Sequence, residues 1–137
     1  MRTLPPFDTR VVAMQAEVMT RFVRELREAM RRVRPEAPLH VRVGAARSLM
    51  GCAPRDWARE GLVQGLRIDH PDGLRDPAQY FQRLTAACPG VWLLAEKILM
   101  HDEALPEDWP VDGTTGYDFL NRVGGLLVNP ASEAELS

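Results

Sequence analysis

The hydrophobic and polar residues of this chain alternate in segments that predict helices and strands in turn. Between Val11 and Val33, apolar residues recur every three or four positions among arginines and glutamates, which is the rhythm of an amphipathic helix. Asp8 or Thr9 can cap this helix, and Pro35 ends it. The apolar stripe consists of Val11, Met14, Val18, Phe22, Leu26, Met30 and Val33.

Three short apolar runs predict strands, at residues 39–43, 66–69 and 91–95. A short helix over 54–60 and a longer one over 77–88 separate them, and Asp76-Pro77 is a favourable start for the second. The run 91–95 is apolar on both faces, which is typical of an interior parallel strand covered by helices. Residues 100–117 predict a long irregular loop, followed by a helix near Tyr117. The α-β-α-β-α-β order indicates a parallel α/β sheet.

The composition and the cysteine spacing exclude several kinds of partner and binding site. The chain has 17 basic and 19 acidic residues, mixed along its length, so neither a nucleic-acid partner nor an anionic membrane surface is indicated. Its two cysteines, Cys52 and Cys88, have no metal-ligand spacing, and no calcium-loop or phosphate-binding glycine motif occurs. We therefore expect a soluble cytoplasmic protein without a metal site.

Two carboxylates stand out by their position at the ends of predicted strands. Asp69 ends one strand and Glu96 follows the next, and in parallel α/β folds these ends form the active-site face. Neighbouring strands lie about 4.8 Å apart, so the two carboxyl groups can approach the roughly 5 Å separation found in retaining glycosidases. Arg67 points to the same side as Asp69 and would keep it ionised. Structural ion pairs at strand ends would give the same pattern, so both interpretations remain open.

Three sequence motifs resemble a known family. The run Gly65-Leu66-Arg67-Ile68-Asp69-His70-Pro71-Asp72-Gly73-Leu74 resembles the nucleophile motif of glycoside hydrolase family 13, in the form found in the maltooligosyl trehalose synthases. The run Ala95-Glu96-Lys97-Ile98-Leu99 is similar to the acid/base motif of the maltooligosyl trehalose synthases, and residues 105–121 resemble the characteristic loop of the same enzymes. The resemblance is strongest over residues 61–130. It implies that the chain is part of a (β/α)8 TIM barrel, with about three parallel strands, crossover helices and an irregular C-terminal loop region.

The resemblance also implies roles for individual residues. Asp69 would be the nucleophile, Glu96 the general acid/base and Arg67 the partner of the nucleophile. The sugar-binding residues would be His70, Lys97, Trp109, Thr114, Thr115 and Tyr117. For Trp109, an alternative is a packed loop aromatic. The implied substrate is a maltooligosaccharide or another α-1,4-glucan, whose reducing-end linkage is converted into a trehalose end by intramolecular transglucosylation without a cofactor. Hydrolysis of the α-amylase type is the alternative activity.

The chain departs from the family pattern in two respects. A complete barrel takes about 250 residues, and neither the upstream Asn-His motif nor the third, downstream carboxylate of the family is found here. Residues 1–60 do not match the family well, so we expect a helix-strand barrel segment of uncertain origin over 1–60 and part of the family 13 catalytic barrel over 61–137. These departures predict that the chain by itself is inactive, and a catalytically inactive remnant is a further alternative.

Overall fold

The computed structural model describes residues 8–44, 52–100 and 102–127. Helices and strands alternate as far as the third strand, as the sequence pattern predicts, and a fourth strand then follows without a helix between them. In order, they are α1 (Thr9–Val33), β1 (His40–Gly44), α2 (Pro54–Arg59), β2 (Gly65–Asp69), α3 (Pro77–Ala87), β3 (Trp92–Ala95), β4 (Gly113–Thr114) and α4 (Tyr117–Leu126), with one turn of 3₁₀ helix at Pro71–Gly73.

The four strands form one sheet in the order β1-β2-β3-β4, and every neighbouring pair is parallel. The predicted α/β class with parallel strands and crossover helices is therefore confirmed. Because β1 pairs with β2, residues from both predicted segments, 1–60 and 61–137, contribute to the same sheet.

The fourth strand corrects the prediction of an irregular loop over residues 100–117. The backbone N–H of Asp112 donates to the Leu93 carbonyl (2.8 Å), and the Asp112 carboxylate accepts from the Leu93 N–H (2.6 Å). These two bonds hold the loop against β3, where Gly113 and Thr114 pair with Leu94 and Ala95. A strand of two residues is too short to show the alternation from which strands are predicted.

Two helix starts follow the capping residues predicted from the sequence. The Asp8 side chain accepts from the N–H of Arg10 (2.8 Å) at the start of α1. The Asp76 side chain accepts from the N–H of Gln79 (2.9 Å), with Pro77 in the first position of α3. Each cap satisfies an N–H group that has no partner within its helix.

The core lies between the sheet and the helices. Its largest fully buried side chains come from α2, α3, the first three strands and the segment before β2, and they are Trp57, Phe81, Leu66, Ile68, Leu93, Val43 and Val63. The interior position of β3 is confirmed, since β2 and β4 flank it. The prediction that both faces of β3 are covered is wrong, because Trp92 is 45% exposed and only Leu93 and Ala95 are buried.

Helix α1 packs with a different face from the one that its apolar stripe indicates. Its buried residues are Val23 and Arg27, and the hydroxyl of Thr20 accepts a hydrogen bond from the indole N–H of Trp57 (2.8 Å). Phe22, in the middle of the stripe, is 56% exposed. Within the described ranges, no helix is long and apolar enough to cross a membrane.

Candidate active site

The two carboxylates singled out in the sequence lie at the same edge of the sheet. Asp69 is the last residue of β2, and Glu96 follows the last residue of β3, whose register pairs Ile68 with Ala95. The backbone N–H of Glu96 donates to the carbonyl of Ile68 (2.8 Å), which extends the pairing of the strands to this point. Parallel pairing therefore places both carboxylates at neighbouring positions on the C-terminal edge.

Both oxygens of Asp69 are held by guanidinium groups. Nη1 of Arg67 lies 2.7 Å from Oδ1, as expected for two residues on the same side of a strand, and Nη2 of Arg42 lies 2.6 Å from Oδ2. The hydrogen bonds from Arg42 and Arg67 lower the pKa of Asp69 below its usual value. The carboxylate is therefore ionised at neutral pH and fixed in orientation.

Arg42 is the site residue that sequence reasoning missed. It lies on β1, where the register pairs it with Arg67, and its pKa is raised mainly by Asp69 and further by Glu96 and Tyr117. It belongs to the part of the chain without a family motif, so no resemblance pointed to it. The available signal was the alternation in His40-Val41-Arg42-Val43, which puts Arg42 on the face opposite Val43.

Glu96 is oriented by the turn that follows β2. The backbone N–H of His70 donates to Oε2 of Glu96 (3.0 Å). His70 has left-handed backbone angles (φ 52°, ψ 53°), the single non-glycine residue with positive φ among those described. Such a conformation is uncommon for a side chain larger than glycine. The turn thus places a donor beside Glu96, while the His70 side chain itself is exposed.

Lys97 forms two ion pairs next to this edge. Its ammonium group lies 2.8 Å from Oε1 of Glu103 and 3.4 Å from Oδ2 of Asp72, and its side chain is 14% exposed. The hydrogen bond with Glu103 is the main reason why the pKa of Lys97 is raised. Lys97 therefore ties the segment after β3 to the turn after β2, and in this structure its charge is already paired.

The residues after β3 that the resemblance assigns to sugar binding have different surroundings. The Thr114 hydroxyl donates to Oδ1 of Asp118 and accepts from the N–H of Gly116 (3.3 Å), so it stabilises the start of α4. The Thr115 hydroxyl is buried and has no hydrogen-bond partner among the residues that the structure describes. Tyr117, the first residue of α4, is 37% exposed and lies near enough to Arg42 to contribute to the raised pKa of that guanidinium.

Trp109 lies in the core rather than at the surface. It is 9% exposed, and its ring centroid is 5.0 Å from that of Phe81. This position agrees with the alternative given for it in the sequence, a packed loop aromatic. A tryptophan that stacks on a sugar needs an open ring face, so we do not include Trp109 in the candidate site.

The described residues contain no group of three or more His, Cys, Asp or Glu side chains that could hold a metal ion. This edge carries an ionised carboxylate, Asp69, and the carboxyl group of Glu96 directly after the neighbouring strand. Glycoside chemistry uses a pair of carboxyl groups, one on each side of the scissile bond.

No family model matches the chain. Among curated proteins, it is 51% identical over 82 residues to a protein of Mycobacterium tuberculosis (strain CDC 1551 / Oshkosh) described as a maltooligosyl trehalose synthase. The same identity is found for the protein of strain H37Rv. The match covers 59% of this chain and 11% of each relative, so the chain spans about a ninth of the length of the curated relatives it matches.

Solved structures give the same result. The maltooligosyltrehalose synthase of Arthrobacter ramosus matches 59% of this chain with 49% identity and a TM-score of 0.56, over 11% of its own length. A structure of DSM5389 glycosyltrehalose synthase matches 54% of this chain with 52% identity and a TM-score of 0.52, over 10% of its length. Over the matched segment, this chain therefore resembles part of a maltooligosyl trehalose synthase in both sequence and fold.

Proposed function

We propose that this chain carries the nucleophile and acid/base strands of an α-glucan transglucosidase. The observation that carries the proposal is the placement of Asp69 and Glu96 at the ends of adjacent parallel strands, with Asp69 held ionised by two arginines. Asp69 is the nucleophile, Glu96 the general acid/base and Arg67 the positioning residue. The similarity to maltooligosyl trehalose synthases supports the choice of an α-1,4-linked maltooligosaccharide as substrate.

The reaction proceeds in two steps with retention of configuration. Protonated Glu96 gives its proton to the oxygen of the reducing-end linkage while an oxygen of Asp69 bonds to the anomeric carbon, and the terminal glucose is released. Glu96, now a carboxylate, takes the proton from the anomeric hydroxyl of that glucose. The hydroxyl oxygen attacks the glycosyl-enzyme ester, which frees Asp69 and forms an α,α-1,1 linkage. The sugars bind among five side chains, and the exposed ones, His70 and Tyr117, are nearest to solvent. The other three are Lys97, Thr114 and Thr115.

Residues 61–137 supply both carboxylates in this proposal, and residues 1–60 supply the neighbouring helix-strand unit. The third carboxylate of the family has no counterpart in the sequence, so we expect little or no turnover by this chain alone.

Formation of a covalent bond between Asp69 and a sugar is for this reason a better test of the proposal than turnover. The chain is incubated with 5-fluoro-α-glucosyl fluoride, which forms a slowly hydrolysed ester, and peptide mass spectrometry locates the added sugar.

We expect the sugar on the peptide that contains Asp69, and no label in the Asp69→Asn variant. Asp108→Asn is the matched control, because this exposed carboxylate lies outside the proposed pair and outside the ion pairs of Lys97. Absence of label from the folded wild-type chain would favour the inactive remnant. With maltohexaose, loss of reducing ends without glucose release indicates transglucosylation, whereas release of reducing sugars indicates hydrolysis of the α-amylase type.

A further inference from the structure

Two arginines on neighbouring strands share one carboxylate. Arg42 on β1 and Arg67 on β2 are register partners, so their backbones lie about 4.8 Å apart. Arg42 binds Oδ2 of Asp69 (2.6 Å), and Arg67 binds Oδ1 (2.7 Å). Each guanidinium carries a full positive charge at neutral pH, so one negative charge compensates two positive ones. The arrangement is favourable while Asp69 is ionised, and loss of that charge leaves two like charges side by side.

Glu96 presents a second carboxyl group on the same face of the sheet. Leu94 is the register partner of Arg67. Glu96 follows Leu94 by two residues, so its side chain lies on the same face as Asp69. A backbone N–H of the turn after β2 holds Oε2 of Glu96 (3.0 Å), and Oε1 accepts no hydrogen bond from the residues that the structure describes. The charge of Glu96 already acts on Arg42, because it contributes to the raised pKa of that guanidinium.

In the proposed reaction, the negative charge moves from Asp69 to Glu96. In the first step an oxygen of Asp69 bonds to the anomeric carbon, the glycosidic C–O bond breaks, and Glu96 gives its proton to the leaving oxygen. Asp69 is then an uncharged ester and Glu96 a carboxylate. The partner of Arg42 has thereby lost its charge, and a new negative charge has appeared about one strand spacing away.

The two arginines differ in their freedom to follow this charge. Arg67 is half-buried and lies on the same strand as Asp69, whereas Arg42 is exposed and reaches across from β1. We infer that Arg42 is a positioning residue for both steps, which pairs with Asp69 before the ester forms and with Glu96 afterwards. In the second arrangement it stabilises Glu96 as the carboxylate that takes the proton of the incoming hydroxyl. The role in the reaction rests on the proposed function, but the change of partner requires only that Asp69 lose its charge.

The change of partner is tested without a sugar, because Asp69→Asn removes the charge as the ester does. Phenylglyoxal reacts with the small uncharged fraction of a guanidinium, so a carboxylate partner slows the modification, and peptide mass spectrometry follows the rate at Arg42. In the Asp69→Asn background, Glu96→Gln should raise this rate by about threefold, since an opposite charge favours the charged form and solvent weakens the effect. In the wild-type background it should change the rate much less, because Asp69 remains as the partner. The exposed Arg83 in the same digests is the internal control.

The comparison of the two backgrounds decides on the inference. An equal effect of Glu96→Gln in both backgrounds, or no effect in either, would overturn it. A dependence on Glu96 that appears at Arg67 in place of Arg42 would overturn it as well, and the same digests report both arginines. Circular dichroism shows whether each variant is folded. Asp69→Ser, which is also uncharged, replaces Asp69→Asn if the latter is not folded.

The lifetime of the glycosyl ester tests the role of Arg42 in the second step. After labelling with 5-fluoro-α-glucosyl fluoride and removal of the excess, water takes the place of the acceptor hydroxyl, and Glu96 takes its proton. The label should decay several-fold more slowly from Arg42→Gln than from the wild type, whereas Arg42→Lys, which keeps the positive charge, should restore most of the rate. Arg83→Gln should match the wild type. Equal decay from all these proteins would overturn the inference, whereas absence of label from the wild type would contradict the proposed function and leave the modification rates to decide on Arg42.

Discussion

Arg42 and Asp69 form an ion pair across β1 and β2, with Nη2 of the arginine 2.6 Å from Oδ2 of the carboxylate. The other oxygen of Asp69 binds Arg67, so the carboxylate has no free oxygen. The exposure of the two arginines differs, since the Arg42 side chain is 68% exposed and that of Arg67 is 25% exposed. In the proposed reaction one oxygen must reach the anomeric carbon. Arg42 is the partner that can move into solvent, while Arg67 keeps the carboxylate in place.

The first prediction concerns the pKa of Asp69. Replacing Arg42 with Gln, or Arg67 with Gln, removes one positive partner, so the pKa should rise towards its unperturbed value of about 3.9. Both variants should show the rise, because a hydrogen bond from each arginine lowers the pKa of Asp69. Carbon-13 NMR titration of the Asp69 carboxyl group measures this, with Arg83→Gln on the exposed side of α3 as the control. Equal pKa values in all three variants would contradict the ion-paired arrangement.

The second prediction is that stability falls in acid partly because of Asp69. A carboxylate with a lowered folded-state pKa stabilises the fold above its unfolded-state pKa, about 3.9, and loses that contribution as the pH falls through the folded-state value. Asp69→Asn should therefore be less stable than the wild type at about pH 6, with the difference shrinking towards about pH 3. Urea unfolding at both pH values measures it. A difference that stays constant with pH would contradict the prediction.

The order of elements was predictable because local patterns specify it. The Asp76-Pro77 start of α3 and the apolar runs around Ile68 and Leu93 depend on short-range capping and periodicity. The face of α1 that packs in the core depends on the elements that contact the helix, not on the local sequence pattern. More than half of the residues in this helix are apolar, so their periodicity does not show whether Val23 or Phe22 is the one that packs in the core.

The candidate site was predictable where it follows from position in a strand. Arg67 and Asp69 are two residues apart, so their contact follows from the alternation of side chains. Arg42 and Asp69 are 27 residues apart, and their contact requires the register between β1 and β2. The burial of Trp109 against Phe81 likewise depends on how the loop folds back over α3, which no local pattern encodes.

The third prediction separates the two roles considered for Trp109. Because Trp109 is buried against Phe81, Trp109→Ala should lower the free energy of unfolding by about 3–5 kcal/mol. Trp92→Ala is the matched control, since Trp92 is 45% exposed and packs on His40 at 5.2 Å, and its cost should stay below about 1 kcal/mol. Denaturant unfolding followed by circular dichroism measures both. Nearly equal stabilities of the two variants would restore a surface role for Trp109.

The last prediction tests the left-handed turn that orients Glu96. A β-branched residue is strongly disfavoured at positive φ, so His70→Val should destabilise the fold by about 1–2 kcal/mol. His70→Gly should be close to neutral, because the relief of strain offsets the greater freedom of glycine in the unfolded chain. The same substitution in β1, His40→Val, should cost less, since valine is favoured in strands. Thermal unfolding of the three variants provides the ranking. If His70→Val were as stable as His40→Val, the turn would not be held in the left-handed conformation, and the N–H of His70 would not be fixed on Glu96.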